Sequence, residues 1–273
     1  MTEQPANAVL YAVNGRVAQI TLNRPDRLNA SNRNLSLGLT AAFDRAAADA
    51  EVRVILLSGA GRAFCAGADL RILDELSDDP DAPNSGSGAL RYDGLLALDK
   101  PIIAAIHGAC AGIGLALACC ADIRIAAEDA VFVAPFSRLG LCAEGGLAWL
   151  LGRLMGTGNA SEMLLSARRV AADEALAKGL VARVMPTEGF ASAALAYAAT
   201  VAEGSPASFA MMKRQLRESH VQDFAEARAL AAELTRASLH DKDFGEAISA
   251  KREGRPPAFR PVSTSFDPPI TTR

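Results

Sequence analysis

"PIIAAIHGACAGIGLALACCADIRIA", residues 101–126, holds a strand, a turn, a helix and the start of another strand in one largely apolar run. PIIAAIHG is short and rich in Ile and Ala, the pattern of a strand buried on both faces. GACAGIG then interrupts it with glycines, GLALACCAD is a helix of small residues, and IRIA returns to strand composition. The same grammar stands earlier, at 54–70, in VILLSGAGRAFCAGADL. Each stretch takes a buried strand into a Gly/Ala turn. Glycine there lets the backbone approach a ligand closely, and N–H groups at a helix start can point at one anionic oxygen. Two such turns brought together would make an oxyanion hole. A single one would serve equally well to let helix and strand pack closely. A dinucleotide site is disfavoured, because GACAGIG does not have the G-x-G-x-x-G spacing and no acidic residue closes a following strand at the right distance.

Upstream, AVLYAVNGRVAQITLNRP (8–25) alternates apolar residues on both sides of Asn14-Gly15, which predicts two antiparallel strands and a tight turn. Leu35, Leu37, Leu39, Ala42 and Phe43 mark a helix, and VRVILLSG (52–59) a buried strand. Downstream, IRIAAEDAVFVAP is further strand material. The alternation predicts an α/β fold of stacked strand–turn–helix units. Beyond Gly156 the strands nearly stop, and the remainder reads as helices, with Ser205-Pro206 and Asp241 as N-terminal punctuation. The expected organisation is a body over 8–200, a helical region over 201–262 and a disordered tail over 263–273. The polar stretch SDDPDAPNSGSG (77–88) reads as a mobile loop.

The whole-chain properties exclude several functions. With 273 residues, a net charge of −3 and pI near 5.7, the chain has no electrostatic footprint for nucleic acid. Residues 1–7 lack a basic segment followed by an apolar one, and no apolar run is long enough to span a bilayer, so the expectation is a soluble, cytoplasmic protein. Five cysteines, an odd number in apolar surroundings, and three scattered histidines predict reduced buried thiols and no metal site.

ITLNRPDRLNA, GRAFCAGADL, HGACAGIGLALACCADIRIA and FSRLGLCAEGG, in this order and spacing, resemble the enoyl-CoA hydratase/isomerase (crotonase) superfamily over roughly residues 9–259. The resemblance implies a crotonase-like (ClpP/crotonase) spiral of stacked ββα units, a C-terminal helical trimerisation region that also covers the active site, and a homotrimer or dimer of trimers. It implies an acyl-CoA thioester as substrate and no separate cofactor, since coenzyme A enters with the substrate. By matching positions, the thioester oxygen would be held by the N–H groups of Ala68 and Ile113. Arg24, Arg27, Leu28 and Ala30 would line the adenine end, Arg71 would lie near the phosphates, and Ala66, Asp69, Leu70, Gly112 and Phe136 would complete the site. Asp69 also reads as a helix opener and Asp122 as the start of a strand. Near the C-terminus the pattern departs: Lys251 and Gly254 stand where many relatives put an aromatic and then a Lys. The loop over 77–88, with the helix that follows it, would shape the acyl pocket.

Family likeness leaves the reaction open. Hydratases of the superfamily carry one Glu three residues after the second hole donor and another about twenty residues on; here those positions are Ala116 and Phe136. One acid remains, Glu144, in a stretch that resembles the Glu-Gly motif of Δ3,Δ2-enoyl-CoA isomerases, with Ala143 in place of the usual Pro. One carboxylate suffices to move a double bond, because it can take a proton from the α carbon and return it to the γ carbon. The expectation is an enoyl-CoA isomerase, acting on a chain or on a ring-containing thioester, with Glu144 as proton shuttle. A hydratase-like enzyme of fatty acid metabolism and a non-catalytic acyl-CoA-binding protein stay open. So does a structural role in which Glu144 caps the following helix and touches Arg138 or Arg153.

Overall fold

The computed structural model describes residues 8–79 and 92–261. The chain opens with β1 (Val9–Asn14) and β2 (Val17–Leu22), antiparallel as expected. The turn falls one residue later than the Asn-Gly pair suggested: Asn14 pairs with Val17, and Gly15, at φ +56°, takes the first central position of a two-residue loop. Helix α1 (Arg33–Ala48) is capped by Asn32, whose side chain accepts from Leu35 N.

Three ββα turns follow. The first is β3 (Val54–Gly59), β4 (Ala63–Cys65) and α2 (Leu70–Asp78). After a short helix α3 (Tyr92–Ala97), the second is β5 (Ile102–Ile106), β6 (Ala109–Ala111) and α4 (Ile113–Cys119). The third is β7 (Ile123–Ala127), β8 (Val131–Val133) and α5 (Phe136–Leu139). IRIAAEDAVFVAP is therefore two strands that part into different sheets. Then come α6 (Leu147–Ser166), broken at Gly156, β9 (Val170–Ala171), α7 (Ala172–Ala177), β10 (Arg183–Met185) and α8 (Phe190–Val201). The C-terminal helices are α9 (Pro206–Glu218), α10 (Phe224–His240) and α11 (Lys242–Glu253). Ser205 and Asp241 cap α9 and α11 as predicted, accepting from Ser208 N and Asp243 N.

The first strand of each ββα turn joins a six-stranded sheet, order β1-β2-β3-β5-β7-β10, and the second joins a four-stranded sheet, order β4-β6-β8-β9. β2, β3, β5, β7 and β10 run parallel, each unit stacked on the last. Both faces of the larger sheet are covered. On β3, Ile55 and Leu57 face the main core, while Val54 and Leu56 face α8 through Phe190, Ala194 and Ala198. That double burial is why these strands read as unbroken apolar runs.

Beyond Gly156 two short strands, β9 and β10, stand among stretches read as helical; two and three residues long, they exist because β8 and β7 offer edges to pair with. The C-terminal helices are tied to this body by buried cations. Lys213 Nζ on α9 donates to Asp122 Oδ2 (2.6 Å) and to the Lys100 carbonyl (3.1 Å), and Asp122 also accepts from Ile102 N (2.7 Å). Asp122 is thus structural, as read. The loop expected at 77–88 begins inside α2 and continues, like the tail at 263–273, outside the described residues.

Candidate active site

The parallel pairing of β4 with β6 sets the two glycine turns side by side. Gly67 (φ +114°) and Gly112 (φ +53°) both need backbone conformations that L side chains rarely adopt. The two turns are in contact: a Cβ on Gly67 would stand 3.4 Å from Ala111 O, and one on Gly112 would stand 3.7 Å from Gly67 Cα, ordinary packing distances, so it is the backbone conformation that requires glycine. Gly114 seals the contact, since a Cβ there would lie 2.5–2.7 Å from the Cys65 carbonyl oxygen, Cβ and Sγ.

A third strand of backbone clamps the first turn from outside. Ala66 N donates to Leu28 O (3.0 Å), Ser31 N to Gly67 O (2.7 Å) and Asp69 N to Ser31 O (2.9 Å). The N–H of Ala68, between these spent groups, has no backbone acceptor among the described residues. Ile113 N is the first amide of α4, one of the groups that a helix leaves without an internal partner. Each turn therefore offers one N–H.

Behind the first turn lies a polar cleft of about 540 Å³ whose lining includes Arg24, Arg27, Asp69, Arg71 and Glu75. It gathers four of the predicted coenzyme A residues, but Arg24 has another engagement. Its side chain is 8% exposed and donates to Asp69 Oδ2 at 2.8 Å and to the Ala30 carbonyl. Asp69 also caps α2 through Arg71 N. Burial alone would raise the Asp69 carboxyl; the Arg24 and Arg71 hydrogen bonds outweigh it and hold the carboxyl below its ordinary range. Arg24, Leu28, Ala30 and Asp69 thus form the frame of the first turn. The exposed guanidinium groups of the cleft are Arg27 and Arg71. Ala66 belongs to the clamp, while Leu70 is 74% exposed at the start of α2.

Removing Arg24 should strand a buried carboxylate. Arg24→Met is expected to cost about 3 kcal/mol in urea unfolding at neutral pH. Because the pair depresses the Asp69 pKa, its contribution is present above the ordinary Asp value and fades as pH falls through the lowered one. The gap between wild type and variant should therefore narrow on acidification; a gap constant with pH would refute the pairing as its source.

Glu144 lies in the turn before α6, two residues ahead of its N-cap Gly146, and the first turn of that helix carries no acid. The cations suggested as partners are elsewhere: Arg153 stacks on the Trp149 ring at 3.6 Å, and Arg138 donates to the Ser166 carbonyl (3.4 Å). Glu144 is half-buried, and burial raises its carboxyl above the ordinary value. The next residue, Gly145 (φ +58°), packs on α4: a Cβ there would lie 3.3 Å from Ala116 Cβ and 3.2 Å from Tyr92 Cζ. Ala116 is fully buried, Phe136 is 4% exposed, and Pro135 abuts Gly112. The turn that carries Glu144 and the two glycine turns thus all meet α4.

Two participants escaped the sequence. Asn29, fully buried at φ +56°, donates to Ala60 O (2.9 Å) and Ala63 O (2.7 Å) and accepts from Arg24 N (2.8 Å). Its signal was the run of polar residues with Asn at a left-handed position. Tyr92 gave no signal at all. Cys65, Cys110, Cys119 and Cys120 are buried and Cys142 is exposed, against the expectation of uniform burial. Burial pushes Cys65 up to about 11, the wrong direction for a nucleophile. Among the described residues no group of His, Cys, Asp and Glu could hold a metal, and no helix is long and apolar enough to cross a membrane.

Two sheets fed alternately by ββα turns, with two glycine turns side by side, define a crotonase-fold protein. The chain belongs to the enoyl-CoA hydratase/isomerase family, whose model matches residues 12–261. It is 36% identical to a Rhodobacter capsulatus protein named a probable enoyl-CoA hydratase, over 93% of this chain and 98% of that one. It is 33% identical to the 1,2-epoxyphenylacetyl-CoA isomerase of Escherichia coli K12, over 92% and 97%. A solved enoyl-CoA hydratase from Polaromonas sp. JS666 superposes with a TM-score of 0.87 at 30% identity, covering 92% of this chain and 99% of its own.

Proposed function

We propose that the protein is an acyl-CoA isomerase that shifts a carbon–carbon double bond, from Δ3 to Δ2 of an enoyl thioester or within a ring-containing one. The observation that carries this reading is Glu144: a half-buried carboxylate with a raised pKa, beside a fully buried Ala116 and a buried Phe136 where hydratases of the family place their acids. The Ala68 and Ile113 N–H groups receive the thioester oxygen. Glu144 removes a proton from C2, the electron pair moves onto that oxygen as a dienolate, and the protonated Glu144 returns the proton at C4 while the double bond settles between C2 and C3. No water is added and no separate cofactor enters. Arg27 and Arg71 face the nucleotide phosphates. Exposed Leu216, Val221 and Phe224 on and between the last helices favour self-association as a trimer or a dimer of trimers.

The test is to offer a 3-enoyl-CoA and a 2-enoyl-CoA and to follow double-bond position and hydration. Conversion of the first without hydration of the second is expected. Hydration of the second would favour the activity in the R. capsulatus relative's name. A pH profile adds a signed prediction. The base must be ionised in the free enzyme, so kcat/KM should rise with pH and level off, with its acid limb above the ordinary Glu pKa because burial disfavours the charge. A limb at or below that value would rule out Glu144 as the base in this environment.

A further inference from the structure

Tyr92, the first residue of α3, meets the backbone of Gly145, where a Cβ would stand 3.2 Å from its Cζ and 3.3 Å from the Ala116 methyl, so the phenol ring and α4 both flank the turn that carries the lone carboxylate. Its ring packs on the main core, and its hydroxyl is shut off from solvent with no hydrogen-bond partner among the described residues. The titratable groups that face it are Cys120, Cys65 and Glu144. Thiols are weak partners, and no hydrogen bond joins the phenol to Glu144. Burial first, then those three groups, pushes the phenol up, so it stays a donor at every working pH. A buried donor left unmade costs free energy, and a ligand atom that accepts from it recovers that cost on binding. Neither Ala116 nor Phe136 supplies an acceptor.

We infer that the Tyr92 hydroxyl selects the substrate: it donates a hydrogen bond to an oxygen carried by the acyl group beyond the carbons that Glu144 serves, so the preferred ligand is an oxygenated acyl-CoA rather than a plain hydrocarbon one. This rests on the proposed function only in placing the acyl group beside Glu144. Donation to Glu144 instead would lower the carboxyl's pKa and weaken it as a base, whereas burial is the cause that acts on it. A site built around one polar partner rejects the analogue that lacks it.

The experiment measures calorimetric Kd values of hexanoyl-CoA, 5-oxohexanoyl-CoA and 6-hydroxyhexanoyl-CoA for wild type and Tyr92→Phe. These saturated thioesters have no double bond to move, so the outcome is independent of whether isomerisation occurs. Wild type should bind one of the two oxygenated thioesters about tenfold more tightly than hexanoyl-CoA, and Tyr92→Phe should abolish that preference while leaving hexanoyl-CoA affinity unchanged. Without ligand, the variant's melting temperature should equal or exceed wild type's, because the substitution removes an unsatisfied hydroxyl. Equal affinity of wild type for all three, a preference that survives Tyr92→Phe, or equal weakening of all three in the variant would each overturn the proposal. So would unchanged selectivity with a shifted acid limb in the pH profile, which would assign the phenol to Glu144.

Discussion

Glu144→Gln is expected to lower kcat for double-bond migration by about 10²–10⁴-fold while acyl-CoA affinity stays near that of wild type. Gln keeps the size and a carbonyl acceptor but cannot take the C2 proton, and the buried Ala116 and Phe136 offer no substitute. The effect should fall on kcat, because the proposed Ala68 and Ile113 donors would still hold the thioester oxygen in the ground state. Exchange of the C2 proton with solvent deuterium should disappear with turnover, since both need the same transfer. Activity within a few-fold of wild type would return Glu144 to a structural role; turnover absent from both proteins, with binding kept, would favour a binding protein.

The glycine turns were legible because their constraint is local. Gly67 and Gly112 take conformations closed to other residues, at the ends of strands whose apolar runs declare burial on both faces. The ββα repeat follows from two copies of that grammar. What stayed hidden depends on partners far along the chain. β10 is three residues whose strand character comes from pairing with β7. Arg24 looked like a residue lining the adenine end because a surface arginine and a buried one are spelled alike; Asp69, 45 residues on, decides between them. Tyr92 gains its meaning only when α3, α4 and the turn before α6 meet. Glu144 shows both sides: its isolation among apolar residues was visible, but its freedom from Arg138 and Arg153 required knowing where those side chains turn.

Ile113→Pro should lower kcat by about 10²–10³-fold with little change in KM, through the loss of a single hydrogen atom. Position 113 is the first residue of α4, where proline is best tolerated because the N–H has no partner within the helix. Gly112, with its freedom at positive φ, can precede the ring without the clash that a side chain would bring. The substitution therefore removes the proposed oxyanion donor and leaves α4 standing. Ile113→Val is the control: it alters the side chain and keeps the N–H, so it should retain activity. If both variants lose activity alike, the side chain of Ile113, rather than its amide, shapes the site. If Ile113→Pro keeps wild-type kcat at unchanged stability, the second glycine turn is there for close packing alone, and the enolate must be stabilised elsewhere. A loss confined to the proline variant would mean that the contact between Gly67 and Gly112 brings two backbone amides onto one oxygen.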